Sequence, residues 1–254
     1  MSLNNLANAL LARYKQLGST EDLEEVIRYH REALTPRPLG RPHRSGSLNN
    51  LAAAVLACYM KSGRMEDLEE AITYHREALS LRPLGHPDHS DSFNNLAHAV
   101  LARHEQLGRV ENLEEVISLH REVLTLRPLG HPGHPNALNH LANAVIRHYE
   151  HLGRIEDLDE ALTCSREALT LRPLGHPYIS GSLRDLADVV LTCYRQSGRM
   201  EDLEEAFMLY EQAVSQLAAS SMQRLNAAIR WANMAQLHHH SSPTQWHFIF
   251  SIVA

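Results

Sequence analysis

The residues best suited to chemistry in this 254-residue chain are its 18 histidines and 3 cysteines. His86, His131 and His176 each stand in an "LGHP" stretch, and His30, His75 and His120 recur at a second position, every step being 45 residues. His86 with His89, and His131 with His134, form H-x-x-H pairs in the connecting stretch, a spacing that suits two metal ligands. No carboxylate or cysteine recurs with them. Side chains repeated once per stacked unit lie about 8–10 Å apart, whereas a metal–nitrogen bond is about 2 Å. Such a row cannot chelate, and the run at His238, His239 and His240 adds no further ligand type, so neither a metal nor a cofactor is expected. Nucleophilic catalysis needs a thiol or hydroxyl beside a base and an orienting group. Cys58 and Cys193 instead occupy a position held elsewhere by Arg13, Arg103 and His148, and Cys164 replaces Tyr29 and Tyr74. That pattern reads as packing tolerance. Glycine-rich phosphate loops are missing as well, and an enzyme is not expected.

Composition narrows the function classes further. The chain is 44% hydrophobic and 21% charged, with a formal net charge of -6 from 24 Lys+Arg and 30 Asp+Glu. Such a chain can bury a core. The basic residues are spread through every repeat, so there is no stripe to displace counterions from a nucleic acid. The opening "MSLNNLANALLARY" does not read as a secretory signal, and no apolar run approaches the roughly 20 residues of a membrane span. Three cysteines without metal-ligand spacing fit a reduced compartment. A cytoplasmic protein is expected.

What must position any functional side chain is the period itself. Gly18, Gly63, Gly108, Gly153 and Gly198 are 45 residues apart, as are Leu23, Leu68, Leu113, Leu158 and Leu203. Five repeats follow, at about 2–44, 45–89, 90–134, 135–179 and 180–218, with a closing helix at 221–238 and an apolar tail at 239–254. In each repeat the spacing of Leu3, Leu6, Ala7, Leu10, Tyr14 and Leu17 makes one face of a helix, helix A. The glycine ends it through a left-handed C-cap. Leu23, Val26, Ile27, Ala33 and Leu34 mark helix B, whose acidic first turn suits the helix dipole. Pro38, Pro83, Pro128 and Pro173 oppose its continuation. A single hairpin cannot bury its two apolar faces, whereas stacked hairpins can.

These residues resemble the tetratricopeptide repeat family: Leu6 and Ala7 in "NNLANAL", and Ala71, Ala78 and Pro83 in "EEAITYHREALSLRP". Repeats of that family usually run 34 residues. The longer unit here, with "LG…HP" and "SLNNLA", is similar to kinesin light chain repeats and to fungal arrays that precede a CHAT peptidase module, which "RLNAAIRWANMA" at 224–235 also resembles. The resemblance implies an all-α, right-handed superhelical solenoid of helical hairpins. It implies a non-catalytic scaffold that holds a peptide of a partner protein in a concave groove lined by helix A. The alternative is a sensor array of a CHAT-type peptidase whose catalytic module lies outside this chain. Residues 244–254 stand where sequence leading to that module is expected, and read either as a truncated end or as an apolar tail that packs. At the other end, helix A of the first repeat has no helix B before it, which implies missing upstream repeats or self-association there.

Helix A turns three positions away from its core face. The first holds Asn4, Asn49, Asn94, Asn139 and Arg184, and the third holds Asn8, Ala53, His98, Asn143 and Asp188. Asn offers both a donor and an acceptor, which suits the alternating groups of an extended peptide. In kinesin light chains the corresponding Asn residues contact peptide backbone, and the resemblance carries that role to Asn4, Asn8, Asn49, Asn94, His98, Asn139, Asn143, Arg184 and Asp188. The second position, with Asn5, Asn50 and Asn95, serves either peptide binding or the stacking of neighbouring hairpins. In the fifth repeat Arg184 and Asp188 make that end of the groove charged, as a polarity signal or as a cap.

Overall fold

In the computed structural model, which describes residues 3–34, 44–83, 85–173, 175–216 and 220–238, the period becomes a train of paired helices. They are α1 Leu3–Leu17, α2 Thr20–Leu34, α3 Arg44–Ser62, α4 Met65–Ser80, α5 His89–Leu107, α6 Val110–Leu126, α7 His134–Leu152, α8 Ile155–Thr170, α9 Ile179–Ser197, α10 Met200–Ser215 and α11 Ser221–His238. There is no strand among the described residues. The fold is the expected all-α helical-repeat solenoid. Odd-numbered helices up to α9 are helix A and even-numbered ones helix B. Two residues join the helices of each hairpin, and the first of them needs positive φ: Gly18, Gly63, Gly108, Gly153 and Gly198 lie between 63° and 71°. In this left-handed conformation Gly108 N–H donates to His104 O at 2.7 Å, closing α5. A Cβ at that φ would be strained.

The chain divides into two compact units, 1–126 and 127–254. In the first, Ala7, Leu10, Leu23, Val26 and Ala54 form one cluster, and Leu51, Val55 and Ala71 form another, against which Ile27 and Leu34 of α2 pack. Helix B therefore covers the hairpin after its own. The second unit repeats the scheme: Leu162 and Leu169 of α8 pack on a core of Leu183, Leu186, Val190, Leu203, Tyr210 and Trp231. Ala52, Ala97, Ala142 and Ala187 are at most 1% exposed. A methyl at this position lets helix A approach its neighbours closely, and a larger side chain there would overpack the interior.

Helix A starts earlier than the connector reading allowed. His89 and His134 are the first residues of α5 and α7, so the H-x-x-H pairs straddle a connector and a helix. Short turns explain this: His86 N–H donates to Pro83 O at 3.0 Å and His89 N–H to His86 O at 2.9 Å, which winds the chain into the helix directly. A buried arginine pins the turns before α5 and α9. Arg82 donates to Asp88 O at 2.8 Å and to Ser92 Oγ, and Arg172 to Tyr178 O at 3.0 Å and to Ser182 Oγ.

Candidate functional site

Helix A positions the candidate residues, and its neighbours decide which of them face solvent. The side chains of Asn4, Asn5 and Asn8 lie outside the described residues, as do residues 239–254. In the first unit, Asn49 of α3 is half-buried and committed to stacking. Its Oδ1 is 3.0 Å from Nδ1 of His75 on α4 and accepts from Nδ2 of Asn95 on α5 at 3.1 Å. Because Asn95 donates to the same oxygen, the His75 contact is a hydrogen bond only when its Nδ1 carries the proton. His75 is 2% exposed. Burial, and secondarily the nearby His98, push its pKa down to about 4. One amide thus ties three helices of two hairpins together. Asn50 and Asn94 on the same face are half-buried, whereas His98 is exposed. The protein packed round His98 nevertheless lowers its pKa.

In the second unit Asn139 is 6% exposed and gives its Nδ2 to Ser182 Oγ of α9 at 2.9 Å. It faces the adjacent hairpin, so the role weighed for the second position falls here to the first. Asn143, one turn on, is half-buried. Arg184 pairs with its neighbour Asp185 at 2.7 Å. Asp188 accepts from Tyr210 Oη and is 2.9 Å from Arg230 of α11. Burial raises the Asp188 pKa, and the Tyr210 hydrogen bond followed by the Arg230 charge opposes that rise. The charged end of the helix-A row is thereby bound to the helix that follows it.

The connector histidines have a structural use. Nδ1 of His86, His131 and His176 accepts the backbone N–H two residues on, from Asp88, Gly133 and Tyr178, at 3.1, 3.0 and 3.2 Å. An imidazole here does the work of an Asx turn, which accounts for its recurrence without a metal. Among the described residues, no three His, Cys, Asp or Glu side chains are grouped to hold a metal ion. No described helix is long and apolar enough to cross a membrane.

The Cys58 position also has a role beyond packing. It faces the first turn of helix B, where Asp22, Asp67, Asn112, Asp157 and Asp202 recur. Arg13 donates to Asp22 through two nitrogens at 2.8 and 2.5 Å, Arg103 to Asn112 at 3.1 Å, and His148 Nδ1 lies 2.7 Å from Asp157. Where cysteine stands instead, a serine four residues on takes over: Ser62 donates to Asp67 at 3.1 Å and Ser197 to Asp202 at 3.0 Å. The three repeats with Arg or His carry Leu17, Leu107 or Leu152 at that place. The covariation is legible in the five repeats once the two positions are paired. Burial first, then the Asp67 or Asp202 charge, raises both thiol pKa values, which disfavours the nucleophilic thiolate.

Residues 1–37 match the tetratricopeptide repeat family model. Among solved structures, a Podosopora anserina protein assigned to the kinesin light chains, with nearly identical TPR-like repeats, is 22% identical at a TM-score of 0.55 and covers 85% of this chain and 96% of its own. A thermophilic TPR protein of Thermus thermophilus is 18% identical at a TM-score of 0.57, with 91% and 99% coverage. YrrB, described as a TPR protein with an unusual peptide-binding site, is 16% identical at 0.53, covering 89% of each chain. At these identities the likeness is one of fold. No curated protein matches the chain.

Proposed function

From a tetratricopeptide-type helical repeat as the premise, we propose that this chain is a non-catalytic protein–protein interaction scaffold whose helix-A faces hold a peptide segment of a partner protein. The observation that carries this reading is the layering at α3–α5. Asn49, His75 and Asn95 lock the helices together, and His98 stands exposed beside them, with Asn50 and Asn94 half-buried on the same face. A peptide laid across such a row meets donors and acceptors already held in place, which lowers the ordering cost of binding. In the second unit Asn143, Arg184 and Asp188 offer the corresponding surface, and Asn4 and Asn8 extend the role to α1. Asn49 and Asn139 act one layer behind, by keeping neighbouring hairpins in register. YrrB, with its peptide-binding site on the same fold, lends the reading support.

Peptides selected from a random library against the intact chain provide the test. The combined His98→Ala, Asn50→Ala and Asn143→Ala substitutions touch none of the inter-hairpin bonds described above. We expect at least tenfold weaker binding with unchanged helicity. Affinity equal to that of the unsubstituted chain would reject the helix-A face as the binding surface.

A further inference from the structure

The outer face of α10 departs from the pattern of every earlier helix B. Arg31, Arg76 and Arg166 reach the following helix B, pairing with Glu70 at 2.7 Å, Glu115 at 2.6 Å and Glu205 at 3.1 Å. The equivalent residue of α10 is Glu211, so the charge is reversed at the one step after which no helix B follows among the described residues. Next to it Met208, 56% exposed, holds a position that is Arg28, Thr73, Ser118 and Thr163 in the other repeats. Phe207 stands where Ile27 and Leu162 pack under the next hairpin. With Met200, Leu203, Glu204 and Trp231 of α11, these side chains line a groove of about 360 Å³. α11 packs on α10 and α9 as α5 packs on α4 and α3, which makes it the helix A of a sixth hairpin.

We propose that the α10–α11 groove docks an amphipathic helix of a partner protein, lying where the helix B of that sixth hairpin would lie and carrying a lysine or arginine opposite Glu211. This surface is separate from the helix-A faces, and its occupancy does not depend on theirs. The apolar floor supplies affinity and the glutamates select the partner's charge, as in other helix-in-groove interfaces. Exposed methionine adapts to varied apolar side chains. Two occupants from this chain fit poorly. Residues 239–254 contain no Lys or Arg and include Pro243. A second copy would bring Glu25, Glu70, Glu115, Glu160 or Glu205 against Glu211, since every helix B has glutamate at the facing position.

The 254-residue chain with Trp246→Phe retains Trp231 as its one tryptophan, inside the groove. Two synthetic peptides are titrated against its fluorescence: the α4 sequence, Met65–Ser80, and the same sequence with Glu70→Lys. We expect the Lys peptide to bind about threefold tighter at low salt, as an exposed ion pair does, and the advantage to shrink as salt screens it. Glu211→Arg, at an exposed position, reverses the preference, and Met208→Ser weakens both peptides. Absence of any Trp231 response in a chain of intact helicity overturns the proposal, and so does a peptide preference that Glu211→Arg leaves unchanged. Binding seen only after Phe248→Asp and Phe250→Asp would assign the groove to the chain's own C-terminal segment, which also overturns it. Loss of peptide binding at the helix-A faces leaves these readouts untouched, so the two readings fail separately.

Discussion

At His75, three effects meet in one side chain: burial, a hydrogen bond to Asn49, and the proximity of His98. The folded pKa of about 4 lies below the ordinary 6.5, so the unfolded chain binds a proton that the folded one refuses. Stability is therefore complete above about pH 6.5, declines as pH falls, and stops declining from this cause below about 4. A gap of that size corresponds to at most about 3 kcal/mol. His30 and His98, whose pKa values burial also lowers, act in the same direction. Asp22 and Asp202, lowered through hydrogen bonds from Arg13 and Arg199, lose their contribution only at lower pH. Urea unfolding measured at steps from pH 7 to pH 4 should show this decline, and His75→Gln, which keeps a neutral donor near Asn49, should flatten much of it. An equally steep decline in His75→Gln would mean that His75 is not the group responsible. The outward spacing of Asn49 on helix A reads as a groove position, whereas in the structure it is half-buried and its Oδ1 meets His75 and Asn95. What no single-helix reading supplies is the reach of His75, 26 residues later, whose ring competes for the same amide.

At the scale of the helix, the hairpin is fastened at its closed end by an exchangeable pair. Helix periodicity, glycine stops and the 45-residue step were all legible because each is a local property repeated five times. The fastening was not, because it appears only when the last turns of helix A are set against the first turn of helix B. Arginine or histidine spans that gap unaided, while cysteine is short and carries no positive charge, and the serine one turn later then serves the aspartate. His148 and Leu152 can therefore be exchanged as a unit for the Cys–Ser pair of the second and fifth repeats. His148→Cys alone should cost about 1–2 kcal/mol, since half-buried Asp157 loses its 2.7 Å partner. Leu152→Ser alone should cost well under 1 kcal/mol, because Leu152 is exposed at 41%. The double substitution should recover about 1 kcal/mol relative to the sum. Strict additivity in thermal melts of all four proteins would show that the covariation has no energetic basis.

Within each unit, the contacts among the described residues join a helix to its own hairpin or to the next one. Leu23 of α2 packs with Ala7, Leu10, Val26 and Ala54, which belong to α1, α2 and α3, and its cluster has no member from α5 or α6. The ion pairs Arg31–Glu70 and Arg76–Glu115 likewise bridge one hairpin to the next and go no further. Such an architecture is held by the sum of hairpin and nearest-neighbour energies, so a core lesion should open the structure locally. Leu23→Ala removes a side chain that is 2% exposed and should cost about 2–5 kcal/mol at its site. Native-state hydrogen exchange is the appropriate measure, since it resolves opening segment by segment. We expect amides of α1 and α2 to lose protection most, those of α3 less, and those of α5 and α6 to keep theirs. A uniform loss from α1 to α6 would instead require the first unit to unfold as one cooperative body. In that case the hydrogen bonds that Asn49 Oδ1 accepts from His75 and Asn95, rather than the apolar clusters, would be the links that carry the disturbance along it.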